Sequence, residues 1–134
     1  MYQKIIIIGR LGSDPASRFT QSGTQVTSFS VATDRRWTDS NGQQQERTVW
    51  FRVSAWRKLG ELCNQYLAKG RLVMVEGTLD EPKPYQGKDG EWRASLDVTA
   101  REVKFLGGRN EGQQQGSAQA TPTPTPTTEE EIPF

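Results

Sequence analysis

The chain has 134 residues, 33% hydrophobic and 25% charged, with 17 Lys/Arg against 16 Asp/Glu, one cysteine and no histidine. That length allows one domain and little more, and the lone Cys63 without a histidine leaves no ligand set for zinc and no Cys–His pair for nucleophilic catalysis. An internal disulfide is equally excluded, so a reducing, cytoplasmic setting is expected.

The start, MYQKIIIIGR, holds four consecutive apolar residues, too few for a signal sequence or a membrane span, and a soluble protein is expected. Lys4–Gly9 reads as a short β-branched strand. Ile5, Ile6, Ile7 and Ile8 are apolar on both faces, whereas one face of a strand in a small barrel points inward. Either a neighbouring loop lids the outward isoleucines or a second subunit covers them; the second also shields a strand edge and is preferred here. A second extended run covers about Gln25 to Trp37, and the Asn41-Gly42 turn signal separates it from a third, Glu46 to Arg57. In that third run Val49, Phe51, Val53 and Ala55 share one face, and Trp50, Arg52, Ser54 and Trp56 the other.

The period then changes. Leu59, Leu62, Cys63, Tyr66 and Leu67 follow the spacing of an amphipathic helix over residues 58–69, with Gly70 placed to cap it. Cys63 lies in that stripe and reads as a buried small hydrophobe. Strands at about Arg71–Leu79 and Trp92–Phe105 follow, joined by the polar loop DEPKPYQGKDGE. Trp92 shares its phase with Ala94, Leu96, Val98 and Ala100, which assigns it to the core. Strands, a late helix, then strands again is the order of a five-stranded OB-fold barrel with its helix between the third and fourth strands. The expected class is therefore all-β, over residues 1–108.

Beyond Gly107-Gly108 the composition shifts to Gln, Gly, Ser, Thr and Pro. Residues 109–128 cannot bury enough apolar surface to offset their ordering entropy and are expected to be a disordered linker. The charge is split at the same place. Residues 1–108 carry 16 Lys/Arg against 12 Asp/Glu, and residues 109–134 carry one Arg against four Glu.

The outward face of the third run carries the candidate chemistry. Trp50, Arg52 and Trp56, with Lys58 beyond, interleave large rings with cations. Bases stack on tryptophan at about 1–3 kcal/mol each, while Arg and Lys neutralise the phosphates between them. The other use of these tryptophans would be to cover the helix or a second sheet. Trp37 has the parity of Phe29 and Val31, so a bulge or bend is needed to turn it outward. Lys83, Tyr85 and Lys88 repeat the aromatic-between-cations pattern in the last long loop. Asp14, Asp34, Asp39, Asp80, Asp89 and Asp97 are scattered without metal-ligand spacing, which argues against an enzyme, and no cofactor or metal is implied.

The runs IGRLGSDP, FSVATDRRW, TVWFRVSAWRKLGELCNQYLAKG and VMVEGTL, over about residues 2–108, resemble the bacterial single-stranded DNA-binding protein family. The terminal EEEIPF is similar to that family's partner-binding tip. The resemblance implies a homotetramer of OB folds with single-stranded DNA wrapped around it, bound with little sequence preference. It places the stacking aromatics at Trp37, Trp50, Trp56 and Tyr85, the last in a loop that runs one residue longer than the family pattern. It places phosphate contacts at Arg52, Lys58 and Lys69, with Arg10, Arg18, Arg35 and Arg36 as further candidates. Glu129, Glu130, Glu131, Ile132, Pro133 and Phe134 would recruit replication, recombination and repair proteins. Physically, that tip joins an anion cluster to an apolar ring and a free carboxylate, suited to an apolar pocket rimmed by Lys/Arg.

Overall fold

A computed structural model describes residues 1–107. The expectations for residues 109–128 and 129–134 therefore lie outside the described residues. Eight strands and one helix follow in order: β1 (Ile5–Leu11), β2 (Ala16–Phe19), β3 (Gln25–Thr38), β4 (Gln44–Trp56), α1 (Arg57–Tyr66), β5 (Leu72–Leu79), β6 (Lys83–Gln86), β7 (Trp92–Ser95) and β8 (Asp97–Phe105).

Five of these strands close into a barrel. β1 pairs antiparallel with β5 along Ile5–Arg10 and with β3 at Arg10–Leu11; β3 pairs with β4, β8 with β5, and β4 runs parallel to β8 over Arg52–Ser54. That closing order, with the helix between the third and fourth barrel strands, is the OB fold. The barrel fills itself with β-branched side chains at every second position. Val31 on β3, Val53 on β4 and Val73 and Val75 on β5 are wholly buried. The phase on β8 slips at a bulge opposite Glu76/Gly77, so Val98 and Ala100 point inward before it, and Val103 and Phe105 pack against the core after it.

The helix closes one end of the barrel. Cys63 and Leu67 are buried beneath it, and burial pushes the Cys63 thiol up to about 11, which keeps it protonated and unreactive at neutral pH. Close approach to β3 and β4 requires Gly60: a methyl group there would overlap the Ala55 carbonyl. The buried Thr27 hydroxyl donates to the Gly60 carbonyl at 2.7 Å, joining helix to sheet.

Several details differ from the sequence expectation. The helix ends at Tyr66, because Leu67 turns to extended backbone and buries its side chain. Gly70 is therefore not its cap; it sits at φ +86° in the following turn and donates its N–H to the Leu11 carbonyl at 2.8 Å. Leu62 and Tyr66 remain exposed, so the helical stripe is only half used by the core. β2 is a short edge strand with four exposed residues and no apolar alternation to betray it. The loop DEPKPYQGKDGE is largely a hairpin, β6 with β7, and the last strand is interrupted at Leu96. Trp92 is consequently not core: it stands on the hairpin, 72% exposed.

Candidate nucleic-acid interface

β4 holds the centre of the exposed aromatic surface. Its outward residues alternate as the sequence pattern requires, with Trp50 54% exposed, Arg52 exposed and Trp56 also exposed, while Val53 and Ala55 are buried behind them. Directly across on β3 the partners of Trp50, Arg52 and Ser54 are Ala32, Ser30 and Ser28, small residues that leave the large rings proud of the sheet. Trp50 also lies over the backbone of Gly12, where any side chain would overlap its six-membered ring. Small neighbours thus fix the position of a ring that solvent would otherwise leave mobile.

A groove of about 1230 Å³ opens beside this face. Trp50, Arg52 and Tyr85 line it, and so do Arg47 and Arg93, which the sequence pattern does not mark, and Trp92, which it assigns to the core. The sequence signal that places Trp92 on a hairpin is the Asp89-Gly90 turn just before it. Arg93 is engaged by Asp89 at 2.7 Å. Arg47 stands directly opposite Arg35 in the β3–β4 register, and like charges so placed repel unless an anion lies near them.

Trp37 reaches the surface by a route other than the expected bulge. The β3–β4 register runs without interruption from Val26↔Trp56 to Thr38↔Gln44, so Trp37 keeps its inward parity. It is exposed because this ribbon overhangs the barrel, beyond any core for an inward residue to enter. The Arg35 guanidinium lies 5.6 Å from its ring centroid, a cation–π contact. At the tip of the ribbon the Asp39 carboxylate accepts the N–H groups of Asn41 and Gln43, each at 2.9 Å. These bonds and one from Gln45 hold its pKa below the ordinary carboxylate value.

The remaining basic candidates fall in different places. Lys58 is exposed just past Trp56, and Arg18 on the outside of β2. Arg36 pairs with Glu46 at 3.3 Å, and Arg10 donates to the Gly70 carbonyl at 3.0 Å. Lys69 is exposed, its main-chain N–H held by the Asp14 carboxylate at 2.8 Å. Trp37, Trp56 and these cations do not line the groove; they extend the surface around it. Among the described residues there is no cluster of three or more carboxylates, cysteines or histidines arranged to hold a metal, and no helix long and apolar enough to cross a membrane.

The outer face of β1 has a different character. Ile7 is buried and Ile5 packs against the core, so these two of the four isoleucines belong to the barrel. Ile6 and Ile8 are 57% and 56% exposed, across from Glu76 and Met74 on β5. Lys4 pairs with Glu76 beside them, which raises the lysine's pKa.

An OB barrel with exposed tryptophans, cations and an aromatic-lined groove defines a class of oligomer-binding β-barrels, suited to chains of stacked rings joined by anions. Residues 2–106 match the model of the single-strand binding protein family, and the chain belongs to that family. It is 53% identical over 108 residues to the single-stranded DNA-binding protein of Neisseria meningitidis serogroup B, covering 81% of this chain and 62% of that one. The protein of the same name from Xanthomonas axonopodis pv. citri is 47% identical over 109 residues, 81% of this chain and 60% of the relative. The matched stretch thus spans about three-fifths of these relatives. The Plasmodium falciparum SSB, solved in complex with ssDNA, superposes with a TM-score of 0.67 at 27% identity, over 80% of this chain and 97% of the other.

Proposed function

We propose that this protein binds single-stranded DNA with little sequence preference, as a non-enzymatic coating protein of replication, recombination and repair. The observation that carries the reading is the exposed Trp50–Arg52–Trp56 face continuing into a groove with Tyr85. Rings at the surface have no core to stabilise them, and Arg52 has no ion-pair partner among the described residues. Bases and phosphates supply both missing partners. The family and the ssDNA complex of the Plasmodium relative support the same ligand.

The exposed Ile6 and Ile8 support self-association through the β1–β5 face, which we read, with the family resemblance, as one interface of a homotetramer. The tip Glu129–Phe134 is read as the recruiting element for genome-maintenance proteins, tethered through the linker of residues 109–128. Its support is the acidic-apolar sequence itself. The lone buried Cys63 suits a cytoplasmic setting.

The test is a titration of tryptophan fluorescence with poly-dT at two salt concentrations, with poly-U run in parallel. Strong quenching and an affinity that falls as salt rises are expected, and Trp50→Ala should weaken binding by about 1–3 kcal/mol. No quenching in the wild type sinks the reading; tighter binding to poly-U would move it to RNA.

A further inference from the structure

Where β4 leaves the barrel it loses a neighbour. Its ladder with β8 covers only Arg52–Ser54, and at that end it finishes with the Arg52 N–H donating to the Leu96 carbonyl at 2.9 Å. N-terminal to this bond, β4 and β7 approach the junction in the same chain direction with no ladder between them, and the groove opens there. Six successive residues of β4, Arg47–Arg52, and five more, Trp92–Leu96, line it, and it continues across the β4 face to Ser28 and Ser30 of β3.

Alternation decides which main-chain groups point inward. Arg52 turns its N–H toward β8, so Trp50 and Thr48 turn theirs to the same side, where no strand lies among the described residues. On the other side, the Gly87 N–H donates to the Glu91 carbonyl at 2.9 Å, which makes Glu91, Arg93 and Ser95 the residues that bond across the hairpin. Trp92, Ala94 and Leu96 therefore address the cleft, and the Leu96 carbonyl bound to Arg52 agrees with that phase. Two free strand edges converge on one vertex, with Trp50 and Trp92 flanking them.

We propose that this wedge is a nucleobase subsite that reads the hydrogen-bonding edge of one base, with the ring stacked on Trp92 and the edge met by main-chain groups of Thr48, Trp50 and Ala94. The proposal rests on the single-strand-binding reading above and adds a residue and a mode of contact to it. An unpaired strand edge is ordinarily a pairing hazard. A nucleobase satisfies it, because in-plane donors and acceptors come with a π-face for the neighbouring indole. Arg47 and Arg52 on the β4 side are placed for the adjoining phosphates. An extended peptide would match the edges alone and leave the indoles and cations without a role.

The experiment uses the full chain and two oligomers of equal length, oligothymidylate and its N3-methylated counterpart, read by tryptophan quenching at one salt concentration. Methylation blocks the Watson–Crick edge and spares the ring and phosphates. The wild type should bind the methylated oligomer about tenfold more weakly or worse. Trp92→Ala should weaken oligothymidylate binding about fivefold or more, with Trp92→Phe restoring most of it. Ala94→Pro removes one cleft-facing N–H from a pair that makes no ladder bond with Pro84, and should shrink the discrimination between oligomers. Circular dichroism checks that these exposed changes leave the barrel folded. Equal affinity for both oligomers overturns edge reading. Discrimination undiminished in both Trp92→Ala and Ala94→Pro overturns its placement in the wedge and leaves the free edges to an extended peptide. Absence of quenching by either oligomer would instead overturn the single-strand-binding reading.

Discussion

Two of the surfaces on which the molecule exposes apolar side chains, β4 and the β1–β5 side, differ in the companions of those side chains. On β4, Trp50 and Trp56 flank Arg52, which makes no ion pair among the described residues, although Asp97 is its ladder neighbour on β8. On β1, the exposed Ile6 and Ile8 lie beside a lysine and a glutamate that already neutralise each other, Lys4 and Glu76, with Met74 across the ladder. Rings with a spare cation call for a ligand that is both flat and anionic. Aliphatic chains with matched charges call for a surface much like themselves. Exposure alone would not have separated the two; the state of the neighbouring charge does.

The largest effect should come from destroying the aliphatic face. Ile6→Glu with Ile8→Glu places two carboxylates where a second copy would sit, on a strand whose inward residues are untouched. Light scattering of the eluting protein should show an oligomer for the wild type and a monomer for the variant, at least a hundredfold weaker in association. Quenching by an oligomer short enough for one protomer should persist. A monomeric wild type, or an assembly indifferent to both carboxylates, would show that this face is not an interface.

That separation was half legible in the sequence. Period two put Trp50, Arg52 and Trp56 on one side of β4 and Val53 and Ala55 on the other, and a closed barrel follows that rule along the stretches that enclose the core. The same rule failed for Trp37 and Trp92. Both have inward parity, yet each stands on a ribbon that has run past the core, and parity specifies a side without saying whether anything lies there to bury it. Nothing local marks where β3, β4 or the last strand leaves the barrel; that depends on the short β4–β8 ladder and the break at Leu96, contacts distant in sequence. Among the isoleucines, alternation predicts two inside and two outside, but only the closure of the barrel decides that Ile5 and Ile7 are the inner pair.

A smaller effect should follow from disturbing the support of the aromatic face without touching its rings. Gly12→Val inserts a branched side chain into the space of the Trp50 indole, which must swing away from the sheet. Binding to poly-dT should weaken about tenfold, within the range for loss of one stacking ring. Because Trp50 is exposed in either position, assembly should be unchanged and the midpoint of thermal unfolding should move little. A variant with wild-type quenching and affinity would mean that contact with Gly12 does not position Trp50.

The smallest effect concerns the junction where the aromatic strand becomes the helix. Arg57, directly after Trp56, is the one non-glycine residue with positive φ among the described residues, at +58°. A side chain in that left-handed region crowds the following carbonyl and costs about 1 kcal/mol or more. Arg57→Gly removes the crowding, and the gain should exceed the extra freedom glycine brings to the unfolded chain, for a net stabilisation of about 0.5–1 kcal/mol. Arg57→Ala keeps the β-carbon and removes the charge, so it should leave stability close to the wild type. Denaturant midpoints at matched protein concentration read the difference directly. If glycine and alanine behave alike, the left-handed backbone carries no measurable strain; if only glycine stabilises, the end of the aromatic face is held against a local conformational cost that the rest of the barrel absorbs.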